Sequence, residues 1–378
     1  MSGEEEFRHG GDVWSSRAGG AGAGPAGLTP LDVIDFSANI NPLGPPARVR
    51  ELLRANAGLV RFYPPPGAPA LSAALNREFG AGAECVLAGN GASELIALFF
   101  WVLRLRRVLL VAPTYTDYLR AARAAGCAVE FFNPRGEFAF PLPALAEKVR
   151  RSRCDALVFC NPNNPTGVFW DDLTPLLEAA REKKVSFLLD LSFFPFTGED
   201  WAAWAGKNRL FSYLDSPLFL VVSLTKIFAL PGLRLGFGIG TEGLVRKMRA
   251  AKDPWSVNVL AQLAGLACLE EKEYLKKTVT LVNKEREYLA KGLGRIPGLK
   301  VYPSRANFLL VDSRRTGVSG AELAAALAKK DILVRDAGNF RGLDAFFFRV
   351  AVRKRKENRI LLRAVREVLA GERASAGR

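Results

Sequence analysis

Between residues 85 and 190 the chain alternates short runs of consecutive apolar residues with stretches whose apolar residues fall three and four apart. The runs lie at 85–88, 107–112, 127–132, 155–160 and 185–190, and the helical patterns at 93–103, 116–125, 143–150 and 171–182. A strand that is apolar on both sides must be covered on both faces, and amphipathic helices between such strands supply the cover. The fold class is therefore α/β, with a mostly parallel sheet between helices. Upstream, LDVIDFSA precedes helical patterns at 47–57 and 70–79, separated by the turn YPPPGAP (63–69). After Gly240 the pattern becomes helical over about 241–297, with a break near Asp253-Pro254, and short strands follow at 299–302, 306–311 and 345–352. The expected division is an N-terminal arm at 1–36 counted with a small domain, a large domain at 37–260, and a small C-terminal α+β domain at 261–378. No internal repeat is visible.

Composition removes several classes of function. One histidine, His9, rules out multi-histidine metal centres and disfavours a Ser-His-Asp hydrolase, so no metal is expected. The five cysteines are scattered, and no pair has C-x-x-C spacing; they are expected to be reduced and buried. The longest apolar stretch, Leu95 to Leu103, is nine residues long, against ~20 for a membrane span. The start MSGEEEFRHGG carries glutamates where a secretory signal needs a basic start and an apolar core, so the cytoplasm is the expected compartment. The net charge of +15 suits an anionic ligand. The basic runs at 104–107, 148–153 and 353–356 lack interleaved aromatics and read as solvated faces, so neither nucleic acid nor membrane is an expected partner.

What remains is lysine, carboxylate or cofactor chemistry. Lys226 follows the apolar run FLVVS and precedes a Pro-Gly turn in SLTK…PGLRLG (223–236), where no solvated helical face is evident. A buried lysine has a lowered pKa and becomes a nucleophilic amine. Asp190 ends VSFLLD, a costly place for a carboxylate unless it meets a positive partner or caps the following turn. A pyridinium nitrogen would be such a partner. GNGAS (89–93) is a glycine turn opening a helix, whose N–H groups suit an anion, and it fails as a dinucleotide fingerprint because Glu94 stands where a third glycine is needed. The asparagines of NPNNPTG (161–167) can bind a ligand edge or their own backbone.

GNGAS, PTY (113–115), NPNNPTG, Asp190 and SLTK…PGLRLG, in this order, resemble the fold-type I pyridoxal-phosphate enzymes over nearly the whole chain. Within them the chain is similar to the branch holding histidinol-phosphate aminotransferases and threonine-phosphate decarboxylases. His9-Gly10-Gly11, DFSANINPLG (35–44), PWSVN (254–258) and ILVRDAGNFRGLDAFFFRVAVR (332–353) are similar to the decarboxylases. Phe193 stands where many relatives have a tyrosine, which leans the same way.

The resemblance implies pyridoxal 5'-phosphate as cofactor and residues 37–260 as its domain. It implies that Lys226 bonds the cofactor, Asp190 keeps the pyridine nitrogen protonated, Asn164 binds the ring hydroxyl and Tyr115 stacks on the ring. Gly91, Ala92, Ser93, Ser223 and Arg234 would bind the cofactor phosphate, joined by Tyr63 from the second subunit of a homodimer. Arg335 and Arg349 would grip the substrate carboxylate, with Asn164 also near substrate and His9 and Asn39 near a substrate phosphate. The implied reaction is decarboxylation of O-phospho-L-threonine in cobalamin biosynthesis; the alternative is amino transfer with histidinol phosphate or an aromatic amino acid.

Overall fold

The computed structural model describes residues 9–13, 32–134, 138–213 and 218–376. It contains two compact units. The larger takes Leu43–Asn164 and Val168–Val279, and the smaller takes the chain up to Pro42, Pro165–Gly167 and Thr280–Arg378.

In chain order the large unit has helices α1 (Ala47–Ala55) and α2 (Pro69–Phe79), then β2 (Val86–Asn90), α3 (Gly91–Leu103), β3 (Arg107–Val111), α4 (Thr116–Ala124) and β4 (Ala128–Phe132). It continues through α5 (Leu142–Arg151), β5 (Ala156–Cys160), α6 (Thr174–Glu182), β6 (Ser186–Asp190), α7 (Trp201–Lys207) and β7 (Leu218–Ser223). The short α8 (Leu224–Ile227), β8 (Leu235–Gly240), α9 (Glu242–Ala251) and α10 (Val259–Leu269) complete it, and α11 (Lys272–Gly294) contains the unit boundary. Seven strands form one sheet in the order β2-β8-β7-β6-β5-β3-β4. Strands β3 to β7 pair in parallel. Every residue of β5, β6 and β7 is buried, as the unbroken apolar runs require of strands covered on both sides.

β8, LGFGIG, is antiparallel to both neighbours. Glycine at every second position hides it as a strand in the sequence, and packing accounts for the glycines. A Cβ on Gly238 would stand 2.2 Å from the Phe219 ring, and one on Gly240 2.8 Å from the same ring.

The large unit extends to Val279, whereas the sequence pattern placed its end at residue 260. The reason is α10, which packs on α1, α2 and β8. A Cβ on Gly265 would stand 2.9 Å from both Leu235 and Leu71, so the helix lies close against that core. The lower boundary falls at Pro42 instead of residue 36. Of the expected arm, residues 1–8 and 14–31 lie outside the described residues.

In the small unit, β1 (Ile34–Asp35) pairs in parallel with β11 (Ile332–Leu333). β9 (Lys300–Val301), β10 (Phe308–Asp312), β12 (Arg335–Asp336) and β13 (Phe347–Ala351) form an antiparallel sheet in the order β12-β13-β10-β9. α12 (Gly320–Ala328) and α13 (Arg355–Ala376) complete the unit. Its core joins Phe36, Leu289, Leu309, Phe348 and Leu361. Among the described residues no helix is long and apolar enough to cross a membrane. All five cysteines are free thiols, four of them buried and Cys85 half-buried.

Candidate active site

In the large unit, strand order reverses at β3: β4 lies to one side of it, and β5, β6 and β7 to the other. The loops after β3 and β5 therefore leave in opposite directions and open a crevice at the carboxyl ends of the strands, the usual ligand position in open α/β sheets. Tyr115 follows β3, Asn164 follows β5, Asp190 ends β6 and Ser223 ends β7. Together with Ala92, Ser93, Lys226 and Arg234 they line one pocket.

One end of the pocket is built for an anion. α3 starts at Gly91, whose φ of +74° suits glycine. A Cβ there would stand 2.7 Å from Arg234 Nη2, and one on Gly236 2.8 Å from the Ala92 amide nitrogen. Removing side chains at both positions brings a guanidinium and a helix N-terminus together, and the first-turn amides of a helix have no intrahelical acceptor. The Ser223 hydroxyl lies 2.7 Å from that of Thr225 and accepts from Lys226 Nζ at 3.2 Å.

Lys226 sits in α8, half-buried, with Nζ 5.5 Å from the centroid of the Phe193 ring. Asp190 is 4% exposed. Its Oδ1 accepts from the Ser192 amide at 2.8 Å, and its Oδ2 accepts from the Tyr118 hydroxyl at 2.6 Å. Of the two alternatives the sequence offered, a turn cap and a positive partner, the Ser192 bond makes the cap, and the same carboxylate lines the pocket where such a partner would bind. Burial, and then the neighbouring Asp190 charge, push the Tyr118 phenol well above its usual range. Cys160, beside the same carboxylate, is pushed up for the same two reasons, burial first.

Tyr115 precedes α4 and donates its hydroxyl to Asp117 Oδ2 at 2.6 Å. Its ring meets Tyr118 edge-on, with centroids 5.5 Å apart. Within NPNNPTG, Asn161 exchanges hydrogen bonds with the Trp170 backbone and Asn163 donates to Pro113 O. Asn164 is the asparagine of the three that lines the pocket. Tyr63 does not line it; it is 83% exposed and packs on Trp255, ring centroids 5.3 Å apart.

Sequence reasoning missed Tyr118, Ser192, Thr225, Cys160 and Ile96, all pocket-lining. Tyr118 lies three positions after Tyr115, in the first turn of the helix that Tyr115 directly precedes. That spacing was the available signal.

The remaining predicted residues belong to the small unit. The Gly11 amide donates to Ser37 Oγ at 2.7 Å, and a Cβ on Gly10 would stand 2.3 Å from Ser37 O. Arg349 Nη2 donates to the same Ser37 carbonyl at 2.9 Å. Arg349 and Arg335 are directly opposed across β13 and β12, both buried. Arg335 donates to Asn339 Oδ1 at 2.6 Å. Asn39 is buried, and its Oδ1 has no hydrogen-bond partner among the described residues. His9 is exposed and directly precedes the Gly10-Gly11 contact with Ser37.

This crevice, with a lysine, a buried carboxylate and an anion cup at the carboxyl ends of a doubly wound sheet, has the donors for a phosphorylated ligand. The chain belongs to the aminotransferase class I and II family, whose model matches residues 31–365. That membership makes it a pyridoxal-phosphate-dependent enzyme of fold type I. It is 34% identical over 351 residues to the threonine-phosphate decarboxylase of Salmonella typhimurium, covering 91% of this chain and 93% of that protein. Among solved structures it is similar to the histidinol-phosphate aminotransferase from Clostridium acetobutylicum, with TM-score 0.81 and 30% identity over 90% of this chain and 100% of that one. It is also similar to the L-threonine-O-3-phosphate decarboxylase from Porphyromonas gingivalis, with TM-score 0.78 and 25% identity over 89% of this chain and 100% of that one.

The residues fit the cofactor. Glycine at 91 and 236 lets the Arg234 guanidinium and the first-turn amides of α3 come together as donors suited to a phosphate, and the buried Ser192 hydroxyl, which lines the pocket, has no partner among the described residues.

Proposed function

We propose that this protein decarboxylates O-phospho-L-threonine to (R)-1-amino-2-propanol O-phosphate, the amino alcohol unit of the cobalamin nucleotide loop. The observation that carries this reading is the junction at Ser37. Two separate decarboxylase-like segments, His9-Gly10-Gly11 and the FSAN stretch, meet there on Arg349. A guanidinium with buried polar side chains around a small-residue corner suits a substrate bearing both carboxylate and phosphate.

In this reading Lys226 bonds the cofactor. Ser93, Ser223, Arg234 and the amides of Gly91 and Ala92 would hold its phosphate, Asn164 its ring hydroxyl and Asp190 its protonated ring nitrogen, and Tyr115 would pack on its ring. When bound, the cofactor supplies an electron-poor ring that accepts the electron pair of a breaking Cα bond. Arg335 and Arg349 hold the substrate carboxylate so that the Cα–carboxylate bond is the one aligned to break, and carbon dioxide leaves. Lys226, released when the substrate amine takes its place on the cofactor, would then give a proton to Cα in place of the lost carboxylate. His9 and Asn39 bind the substrate phosphate. Phe193 brings an apolar ring to the lysine and no hydroxyl. A homodimer in the cytoplasm, where the five free thiols would persist, completes the site through the partner's Tyr63.

The likeness to a histidinol-phosphate aminotransferase structure keeps a second reading, amino transfer, in view. Binding of phosphothreonine, phosphoserine and histidinol phosphate to the holoprotein, followed by the change in cofactor absorbance, separates the two. Phosphothreonine is expected to bind tightest, with phosphoserine weaker by roughly 10-fold or more for the lost methyl. Preferential binding of histidinol phosphate contradicts the decarboxylase reading.

A further inference from the structure

Lys252 follows α9, its side chain only 3% exposed, and none of the chemistry above uses it. Its Nζ stands 3.9 Å from Glu94 Oε2 and donates to Asp253 O at 3.4 Å. Burial lowers its pKa, against the pull of Glu94 and Asp253. Lysines are seldom buried without a charge that needs them.

That charge is Glu94. Its Oε2 also accepts from the Asn90 amide at 2.7 Å and from the Ser256 hydroxyl at 3.1 Å. Glu94 follows Ser93 in the first turn of α3, at the helix end that forms the anion cup. A carboxylate is favoured there by the helix dipole, yet beside a bound phosphate it is a like charge that weakens binding.

We propose that Lys252 is a positioning residue that neutralises Glu94 at the phosphate cup and, through Glu94 and Ser256, clamps the 252–258 segment to the N-terminus of α3. The inference rests on the reading that Gly91 to Ser93 and Arg234 hold the cofactor phosphate. The clamped segment is itself tied to the 63–67 turn. The Gly67 amide donates to Pro254 O at 2.8 Å, and Gln262 Nε2 donates to both Pro65 O and Val257 O. Trp255, in the middle of the segment, carries the exposed Tyr63 against its ring. One buried amine thus sets the charge of the cup and steadies the platform beside it.

The test is equilibrium binding of pyridoxal 5'-phosphate and of pyridoxal, which lacks the phosphate, to the full-length protein and its variants. Lys252→Met leaves the Glu94 charge uncompensated and is expected to weaken pyridoxal 5'-phosphate binding about 10-fold or more. Glu94→Gln keeps both acceptor contacts, leaves the ammonium in excess and is expected to tighten it roughly 3-fold. Pyridoxal binding should change less than about twofold in either. Opposite signs distinguish charge balance from support of the fold, since breaking a merely structural pair harms both variants alike. Glu94→Gln alone gives the sign if Lys252→Met does not fold. Shifts in the same direction, or equal shifts for pyridoxal, overturn the inference. Arg234→Met serves as the reference: if it keeps the preference for pyridoxal 5'-phosphate over pyridoxal, the cup itself is misplaced and both readings fall.

Discussion

Asp190 holds two hydrogen bonds that the sequence could not show, and both restrict what it can do. The Ser192 amide and the Tyr118 hydroxyl fix the carboxylate from opposite oxygens. Tyr118→Phe removes a hydrogen bond to a charged group, worth about 1.5–3 kcal/mol. We expect cofactor affinity to fall roughly 10-fold to 100-fold with the fold intact, measured by titration with pyridoxal 5'-phosphate alongside circular dichroism. Unchanged affinity would mean that Tyr118 only fills space. Lys226 is the residue that borohydride reduction of the holoprotein should tag with cofactor, and peptide mapping that finds another lysine contradicts the site. The raised Tyr115 and Tyr118 phenols also set a pH limit. Because the folded state disfavours the phenolate, their contribution to stability is complete below the ordinary phenol pKa of about 10 and is lost as pH rises above it. Alkaline unfolding should therefore begin above that range, later in a Tyr118→Phe variant. Lys226 and Asp190 were legible in the sequence because a charge at the end of an apolar strand demands an explanation. Tyr118 was not, because a tyrosine on the apolar face of an amphipathic helix reads as core.

At the scale of elements, the parallel strands were legible for a physical reason: covering both faces forces unbroken apolar runs, and β5 and β6 are wholly buried. β8 was hidden by the same packing that requires it. Phe219 lies where side chains from Gly238 and Gly240 would stand, so the strand carries no β-former at those positions. Gly238→Ala places a Cβ 2.2 Å from that fully buried ring. The overpacking should cost about 1–3 kcal/mol, visible as a lower thermal midpoint. An unchanged midpoint would show that Phe219 can move aside. The end of the large unit was misplaced because α10 is apolar nearly all round, and nothing in its sequence says which unit it covers. The loops at 89–93 and 161–167 were legible as ligand turns, yet only the fold separates Asn164 from the structural Asn161 and Asn163.

At the scale of the whole molecule, the pocket of one chain lacks Tyr63, which stands exposed beside Trp255. The proposal of a homodimer with shared sites predicts complementation. Mixing Lys226→Ala and Tyr63→Phe subunits should form hybrids with one intact site and raise activity per site above either parent; no gain contradicts sharing. The central claim concerns which Cα bond breaks, and it is tested by supplying the holoenzyme with phosphothreonine and no keto acid. The predicted result is release of carbon dioxide and aminopropanol phosphate in equal amounts over many turnovers, with the cofactor returned to its starting form. Turnover that requires 2-oxoglutarate, with glutamate formed and no carbon dioxide released, would contradict it.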